Sequence, residues 1–152
     1  MRRLRLLLLI AAGLVVFLVI SAVLARVLSV DGAERSAVVS LLQSEASGDA
    51  PGMIRQIKGC ADNPACQQRA NEDARYLRRN GSVKILELNS SAGFSLGSTL
   101  GTARVAWRAG DALPIVQCVR VRRAGNALSG LHVQLLEISR RINSQAGCPS
   151  HY

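Results

Sequence analysis

The chain has 152 residues, of which 49% are hydrophobic and only 3% aromatic, and its formal net charge at neutral pH is +9. Once an N-terminal apolar segment is set aside, this length supports one small core, built mainly from Val, Leu, Ile and Ala. Several basic residues flank the apolar segment, and the sequence has no nucleic-acid-binding motif or aromatic platform, so the composition argues against a nucleic-acid partner.

The first predicted element is an uncharged apolar stretch from Leu6 to Ala25. At roughly 1.5 Å per residue, a helix of this length covers about 30 Å, the thickness of the hydrocarbon core of a bilayer. We therefore expect residues 1–28 to form a cytoplasmic tip and a transmembrane anchor, and residues 29–152 to form one domain. A cleaved secretory signal ending near Val23-Leu24-Ala25 is the main alternative, although the apolar run is longer than such signals usually have. A buried core helix is a third possibility.

Basic residues around this stretch predict its orientation. Arg2, Arg3 and Arg5 precede it, whereas the basic residues that follow it lie among acidic ones. Because Lys and Arg are retained on the cytoplasmic side, the N-terminus should stay in the cytoplasm and the domain should be extracytoplasmic. No second long apolar run follows, so we expect a single-pass protein of the cell membrane.

The four cysteines, Cys60, Cys66, Cys118 and Cys148, all follow the apolar stretch. An oxidising compartment favours disulfides there, and four cysteines allow three pairings. Cys60 and Cys66 flank a tight turn at Asp62-Asn63-Pro64, so Cys118 and Cys148 pair by elimination. A free thiol pair remains open, whereas a metal site is disfavoured because no Cys-x-x-Cys or paired-histidine spacing occurs. We expect no metal and no cofactor.

Three helices are predicted between the anchor and residue 81. After a short linker at residues 26–31, Asp31 should cap a helix over residues 32–47. Asp49 should cap a short second helix that ends near Gly59, and Pro64 should open a third that ends near Asn80. The apolar positions that mark the buried faces of the first and third helices are Val38, Leu41, Leu42 and Ala46, and Cys66, Ala70, Ala74 and Leu77.

Four strands are predicted after residue 81, where the hydrophobic period changes to two. Their expected ranges are 82–89, 99–108, 115–123 and 130–141, separated by polar loops at 90–98, 109–114 and 124–129. Consecutive strands with short connections predict an antiparallel meander with the helices packed on one face. The alternation shifts phase after Leu135, which predicts a bulge or an edge in the last strand.

The alternation also predicts a buried face and a basic face. Ala103, Val105 and Trp107 should point into the core. The opposite face should carry the candidate ligand-binding residues, Arg104, Arg108, Arg120 and Arg122. Adjacent strands could bring these guanidinium groups together, where anionic lipid, an envelope polymer or an acidic protein partner would neutralise them. An ordinary solvated sheet face is the alternative.

Three segments carry a resemblance to a known superfamily: Leu41–Asp49, Thr102–Trp107 and Leu113–Val121. Together with the order of elements, they resemble the small membrane-anchored members of the cystatin-like, nuclear-transport-factor-like superfamily of α+β cones. The resemblance implies three helices packed on a curved four-stranded antiparallel sheet, with a cavity at the open end of the cone. It supplies no catalytic motif, and this fold serves many functions.

The expected function is that of a non-enzymatic accessory or assembly subunit of the envelope, with the membrane and an envelope protein or a second copy as partners. The anchored cone domains of type IV secretion systems and of lipid-importer-associated proteins are similar in architecture. The alternative is a small-molecule-binding or enzymatic cone whose cavity lies near His132, Glu137 and Trp107. For each of these three residues, a structural or surface role is the simpler interpretation.

Overall fold

In the computed structural model, residues 2–91, 98–126, 130–150 and 152 are described. The helices are α1 (Arg2–Ser47), α2 (Ala50–Gln56) and α3 (Pro64–Tyr76), with a 3₁₀ turn at Cys60–Asp62, and the strands are β1 (Val83–Ser90), β2 (Thr99–Ala109), β3 (Ile115–Asn126) and β4 (Gly130–Ile138). The strands form an antiparallel sheet in the order β1-β2-β3-β4, which confirms the predicted α+β class and meander. Parts of the predicted loops, residues 92–97 and 127–129, lie outside the described residues.

Helix α1 is longer than predicted. It extends from Arg2 to Ser47, so the predicted linker at 26–31 and the predicted helix start at Asp31 are wrong. The stretch contains no proline, and one glycine costs only about 1 kcal/mol in a helix interior, so the local cap signal does not end the helix. The chain nevertheless divides into two compact units, Met1–Gly32 and Ala33–Tyr152.

The large apolar side chains of the stretch within α1 are exposed wherever they are described. Its large side chains from Leu9 to Leu24 are between 50% and 71% exposed. Among the described residues, no helix combines the length and the apolar character needed to cross a membrane. The membrane-spanning role of this stretch stays a prediction.

A left-handed glycine ends α1 and leads directly into α2. Gly48 adopts a φ of 79°, and its N–H donates to the Glu45 carbonyl at 3.0 Å. The Asp49 carboxylate then accepts a bond from the Gly52 N–H at 2.9 Å, which confirms Asp49 as the cap of α2. Helix α2 ends at Gln56, three positions before the predicted Gly59, because Ile57 is extended and forms a bridge to Leu135, and the Lys58 N–H donates to the Leu135 carbonyl at 2.8 Å.

Helix α3 begins as predicted and ends early. The Asn63 side chain accepts bonds from the N–H groups of Ala65 and Cys66, at 3.0 and 3.2 Å, and caps the helix. The helix ends at Tyr76 rather than near Asn80. The physical reason is a competing bond, because the Arg79 N–H donates to the Ala46 carbonyl at the end of α1 at 2.8 Å.

Both predicted disulfides, Cys60–Cys66 and Cys118–Cys148, are present, which confirms the pairing. The predicted bulge in β4 lies at Leu136, since Arg120 faces Glu137 whereas the next residue, Val121, faces Leu135. Strand β4 ends at Ile138 instead of residue 141, because the N–H of Ser139 donates to the Cys118 carbonyl in place of regular pairing.

The core lies between one face of the sheet and the three helices. Val38, Leu41 and Leu42 of α1 belong to the same buried cluster as Val105 and Trp107 of β2. Most predicted core positions are therefore confirmed, although Cys66 is only partly buried. Burial stabilises the fold by about 25 cal/mol per Å² of apolar surface removed from water. Because the core has few large side chains, each of them contributes a large share of this stabilisation.

Candidate functional site

The four candidate arginines alternate along the sheet with buried residues. Arg104 and Arg108 alternate in β2 with Ala103, Val105 and Trp107, which are fully buried, whereas Arg120 and Arg122 alternate in β3 with Val119 and Val121. We call the buried side of the sheet the inner face and the side with these arginines the outer face. The predicted division into a buried and a basic face is confirmed.

The strand register brings two of the four arginines together and separates the other two. Arg104 faces Cys118 across the β2–β3 ladder, so Arg120, two positions further along β3, is its diagonal neighbour. Arg108 faces Lys84 on β1, whereas Arg122 faces Leu100, eight positions from Arg108 along β2. At about 3.4 Å per residue, Arg108 and Arg122 lie about 27 Å apart, so the outer face is no single cluster of four charges.

The C-terminal segment, of which residues 143–150 and 152 are described, contacts the central pair of arginines. The Cys118–Cys148 disulfide fixes it to the outer face. The Arg104 guanidinium donates to the carbonyls of Ala146, at 3.2 Å, and Ser144, and the Arg120 guanidinium donates to the carbonyl of Ser150. These two arginines therefore hold the chain's own C-terminal segment.

Acidic and aromatic neighbours complete the contacts of the same pair. Arg120 forms an ion pair with Glu137 at 3.2 Å and lies 5.3 Å from the centre of the Tyr152 ring. Arg104 lies 3.9 Å from Glu87. Both side chains are only about a quarter exposed, at 22% for Arg104 and 27% for Arg120, so an external anion would have to displace existing contacts.

Arg108 and Arg122 are the arginines left to interact outward. In the part of the chain that the structure describes, neither takes part in an ion pair. The Nε of Arg108 is buried without a hydrogen-bond partner, and Lys84 lies beside it. Each end of the outer face therefore keeps a positive charge that no described carboxylate neutralises.

The structure does not assemble the three residues named for an enzymatic cavity. His132 is exposed, and Glu137, five positions further along β4, is paired with Arg120. Trp107 is fully buried on the inner face, where its indole N–H donates to the Gln117 side chain at 2.7 Å. His132 and Glu137 lie on the outer face and Trp107 lies in the core, so the three residues do not line one site.

A network of buried, hydrogen-bonded polar groups crosses the inner face beside Trp107. Gln117 accepts the Trp107 N–H through its Oε1, and its Nε2 donates to Glu45 Oε1 at 2.8 Å and to the Ser139 carbonyl at 3.1 Å. The Ser139 hydroxyl accepts the Cys118 N–H at 2.8 Å and donates to the Arg140 carbonyl at 2.8 Å. The network joins α1, β2, β3 and the segment after β4 through the middle of the core.

Two carboxyl groups near this network have strongly altered acidity. The pKa of Glu45 is raised to about 8, first by burial and then by the charge of Asp73, while the bond from Gln117 opposes the shift. Burial likewise raises the pKa of Asp73 to about 7, while the Arg69 guanidinium lowers it and the Glu72 charge raises it. Glu45 Oε2 and Asp73 Oδ2 are both buried without partners. Burial therefore favours the protonated form of both carboxyl groups.

Glu34 is a third buried acid, and like Glu45 it connects α1 to the sheet. Glu34 is 1% exposed, and its Oε2 accepts from both Nε and Nη2 of Arg123 at 2.7 Å. Desolvating two charges offsets much of their attraction, so this ion pair adds little net stability, whereas removing one partner would leave a buried charge unpaired.

Sequence reasoning missed Glu34, Glu45, Asp73 and Gln117. The signal for two of them was present, because Glu45 shares the face of Leu41 and Leu42 at helical spacing, and Gln117 alternates with Ile115 and Val119. A polar residue at a position that otherwise belongs to the apolar face of a helix or strand indicates a buried, hydrogen-bonded side chain.

Two of the open spaces among the described residues are lined by arginines other than the four candidates, Arg69 in one and Arg55 in the other. A cavity of about 100 Å³ lies between the start of α3, the end of β4 and Tyr152, and a wider groove of about 480 Å³ lies between α1, α2 and β4. Polar side chains already bond to one another in the groove, since Lys58 donates to Gln134 at 3.0 Å. Within the described residues, no group of three or more His, Cys, Asp and Glu side chains is placed to hold a metal ion.

No protein-family model, curated protein or solved structure matches this chain.

Proposed function

We propose that the chain is a single-pass membrane protein whose disulfide-bonded domain lies outside the cytoplasm and serves as a non-enzymatic accessory or assembly subunit of the cell envelope. The observation that carries this proposal is the pair of disulfides, Cys60–Cys66 and Cys118–Cys148, both located after the apolar stretch of α1. Such bonds persist in oxidising compartments, and an apolar stretch preceded by three arginines is a typical means of export and tethering.

The partner that fits this domain best is an acidic surface of another envelope protein. Residues 33–152 contain fifteen Lys and Arg residues against nine Asp and Glu residues, a net charge of +6. Arg108 and Arg122 project this excess at the two ends of the outer face. Complementary charges of this kind guide association and make it sensitive to salt.

The proposed fold family is the cystatin-like cone. Its support is the element order, in which helices precede a four-stranded meander and pack on one face of it. In such a fold the sheet face away from the helices is available for contacts with partners, which is where the outer-face arginines lie.

An interaction experiment in native membranes tests the assembly role. The tagged full chain is cross-linked in intact membranes, extracted, and recovered at low and high salt, beside a variant carrying Arg108→Gln and Arg122→Gln. The matched control carries Arg75→Gln and Arg78→Gln. It also removes two positive charges, one in α3 and one just after its end. We expect a stoichiometric partner that is lost at high salt and with the outer-face variant but retained with the control. Recovery of the monomer alone, or equal loss with both variants, would contradict the proposal.

Anionic lipid is the second candidate partner. The supporting observation is the buried, unpartnered Nε of Arg108 next to Lys84, since phosphate oxygens bind guanidinium and ammonium groups readily. Full chain in nanodiscs with and without anionic lipid distinguishes this case. Protection of Arg108 and Lys84 from chemical modification only in anionic nanodiscs supports lipid binding, whereas equal modification in both excludes it.

A further inference from the structure

Strand β4 lies at one edge of the sheet, and the chain's own backbone pairs with part of that edge. Ile57 is extended and forms a parallel bridge with Leu135, and the Lys58 N–H donates to the Leu135 carbonyl at 2.8 Å. The segment after α2 therefore runs beside β4 for about two residues. This contact also shows that the backbone N–H and C=O of Leu135 face away from β3.

The edge of β4 continues beyond this contact, but the pairing does not. The register is regular from Val133, which faces Arg123, to Leu135, which faces Val121. Backbone groups of alternate residues point to the same side of a strand, so those of Val133 also face the free edge. The residues before Ile57 belong to α2 and leave the sheet, so no backbone bond from another described element reaches Val133.

A groove lies where a further strand beside β4 would run. Its lining includes Val133, Gln134 and Leu135 of the edge strand, and Ala37 and Ser40 of α1. Its volume of about 480 Å³ falls within the roughly 300–1,000 Å³ of ligand-binding clefts. An open strand edge beside a groove of this size is where an extended peptide can be added to a sheet.

The two sides of the groove differ in polarity. Leu135 belongs to the buried core, and Val133 lies on the same face of β4, with Ala37 of α1 also in the lining. Gln134 points to the opposite face. A peptide strand laid along this edge would therefore place every second side chain against a small apolar surface and the others beside polar groups.

The charged groups of the groove favour an acidic peptide. Arg55 and Lys58 both line the groove, and none of its described lining residues is acidic. Arg55 lies 3.9 Å from Asp49, whereas Lys58 donates to the neutral Gln134 side chain at 3.0 Å and forms no ion pair in the described ranges. An ammonium group has three donors, so Lys58 can hold a carboxylate in addition to Gln134.

We propose that this groove binds an extended, acidic segment of a partner protein, which adds to β4 as a further edge strand. The backbone of the segment bonds to Val133, its apolar side chains pack against Ala37, and its carboxylates meet Lys58. The site lies at the edge of the sheet rather than on its outer face. It therefore goes beyond the contact proposed for Arg108 and Arg122, and its test does not depend on them.

Three fluorescent peptides test this site on the full chain in uncharged detergent. The first is a seven-residue peptide of alternating Glu and Val, the second has Lys in place of Glu, and the third is the acidic peptide methylated at its backbone nitrogens. Fluorescence anisotropy measures binding. We expect saturable binding of the first peptide and at least about tenfold weaker binding of the other two, because main-chain bonds supply affinity and the charges must match.

Two variants of the protein locate the binding. Val133→Pro removes an N–H that faces the free edge and leaves the bonds to β3 in place, and Lys58→Glu reverses the charge of the groove. We expect about tenfold weaker binding of the acidic peptide in each, as for a loss of about 1.4 kcal/mol. The matched control is Lys84→Glu, the same change at an exposed position of β1, the opposite edge strand, and it should bind as the wild type does.

Any of three results would overturn the proposal. The first is the absence of saturable binding of the acidic peptide, or equal binding of all three peptides, to the wild type. The second is unchanged affinity in both Val133→Pro and Lys58→Glu. The third is a stable dimer of the chain that the acidic peptide does not dissociate, because a second copy would then occupy the edge. Circular dichroism checks the folding of each variant, and the comparison of peptides on the wild type stands even if Val133→Pro does not fold.

Discussion

The two faces of the sheet are held in contrasting ways. On the inner face, Trp107 and Val105 pack against α1, and one polar chain through Gln117 and Glu45 crosses the core. On the outer face, Arg104 and Arg120 hold the backbone of the C-terminal segment, and one disulfide closes the connection. The inner face relies on burial, whereas the outer face relies on charge and a covalent bond.

The two faces should therefore respond differently to salt and to redox conditions. Apolar packing on the inner face carries no charge for salt to screen, although the core there also contains Cys60, whose bond to Cys66 requires an oxidising environment. Contacts on the outer face weaken with salt, and the disulfide depends on an oxidising environment. The surface that a partner can reach is therefore the outer face, where salt and redox conditions change the contacts.

Removing the largest inner-face side chain should have the greatest effect. Trp107→Ala deletes a fully buried indole and leaves Gln117 Oε1 without its donor, so we expect a loss of about 3–5 kcal/mol in the free energy of unfolding. Urea unfolding of the full chain in detergent, followed by circular dichroism, measures the loss. Trp107→Phe, which keeps most of the volume, should lose clearly less. A loss below about 1 kcal/mol for Trp107→Ala would show that the inner face is not the main source of stability.

Removing the disulfide on the outer face should have the second-largest effect on stability. The Cys118–Cys148 bond closes a separation of 30 residues, for which the chain-entropy model gives a stabilisation of about 3–4 kcal/mol. The double variant Cys118→Ser, Cys148→Ser should lose up to that amount and release residues 143–152 to proteolysis. Cys60→Ser with Cys66→Ser, which opens a separation of 6 residues, should cost about 2.4 kcal/mol and leave the C-terminal segment protected. Equal proteolysis of that segment in both variants would argue against its attachment to the outer face.

The buried acids should make the inner face sensitive to pH. The pKa of Glu45 is about 8 in the fold against 4.5 for the ordinary group, so the folded chain holds a proton that the unfolded chain releases. Stability is therefore greatest below pH 4.5 as far as Glu45 is concerned, and it falls as pH rises to about 8. Asp73 acts in the same direction between its ordinary value of 3.8 and about 7.

Urea unfolding from pH 5 to 9 measures this effect, which should reach a few kcal/mol. Glu45→Gln should remove the decrease between pH 7 and 8 and keep the part due to Asp73 at lower pH. Asp73→Asn should remove the part below pH 7 and shift the remaining decrease to lower pH, because it removes the charge that raises the pKa of Glu45. A Glu45→Gln variant with the slope of the wild type would show that Glu45 ionises normally in the fold.

The charged contacts of the outer face should have the smallest effect on stability. Arg104→Gln removes the bonds to the carbonyls of Ala146 and Ser144, and a loss of about 1 kcal/mol is expected because these groups are only partly buried. Arg122→Gln, at the far end of the same face, should change the free energy of unfolding by less than about 0.5 kcal/mol. Hydrogen exchange of residues 143–150 should rise in the first variant alone, and a rise in both would remove the distinction between the two arginines.

The sheet was more predictable than the helices, for a physical reason. Strand alternation is a repeated signal, so the inner positions of β2 and β3 followed directly from the order of apolar and basic residues. Helix ends depend on single residues, and tertiary contacts override them: α1 passes through Asp31 and Gly32, and the bond from Arg79 to Ala46 ends α3 early.

The candidate site was only partly predictable. The arginines were placed on the correct face, but their separation depends on a register that alternation alone does not define. The C-terminal segment has no periodicity, so its position on Arg104 and Arg120 could not be read from local pattern, although the pairing of Cys148 with Cys118 pointed to this part of the chain. The cavity at Arg69 joins α3, β4 and the last residue, which only the folded structure brings together.

The most direct test of the central claim is the redox state of the cysteines in the cell. Cells are quenched in acid, free thiols are alkylated before any reductant is added, and the protein is digested and analysed by mass spectrometry. We predict the linked peptides Cys60–Cys66 and Cys118–Cys148 with no alkylated cysteine, as expected in an oxidising compartment. Four alkylated thiols in the unreduced sample would contradict it and would place the domain in a reducing environment.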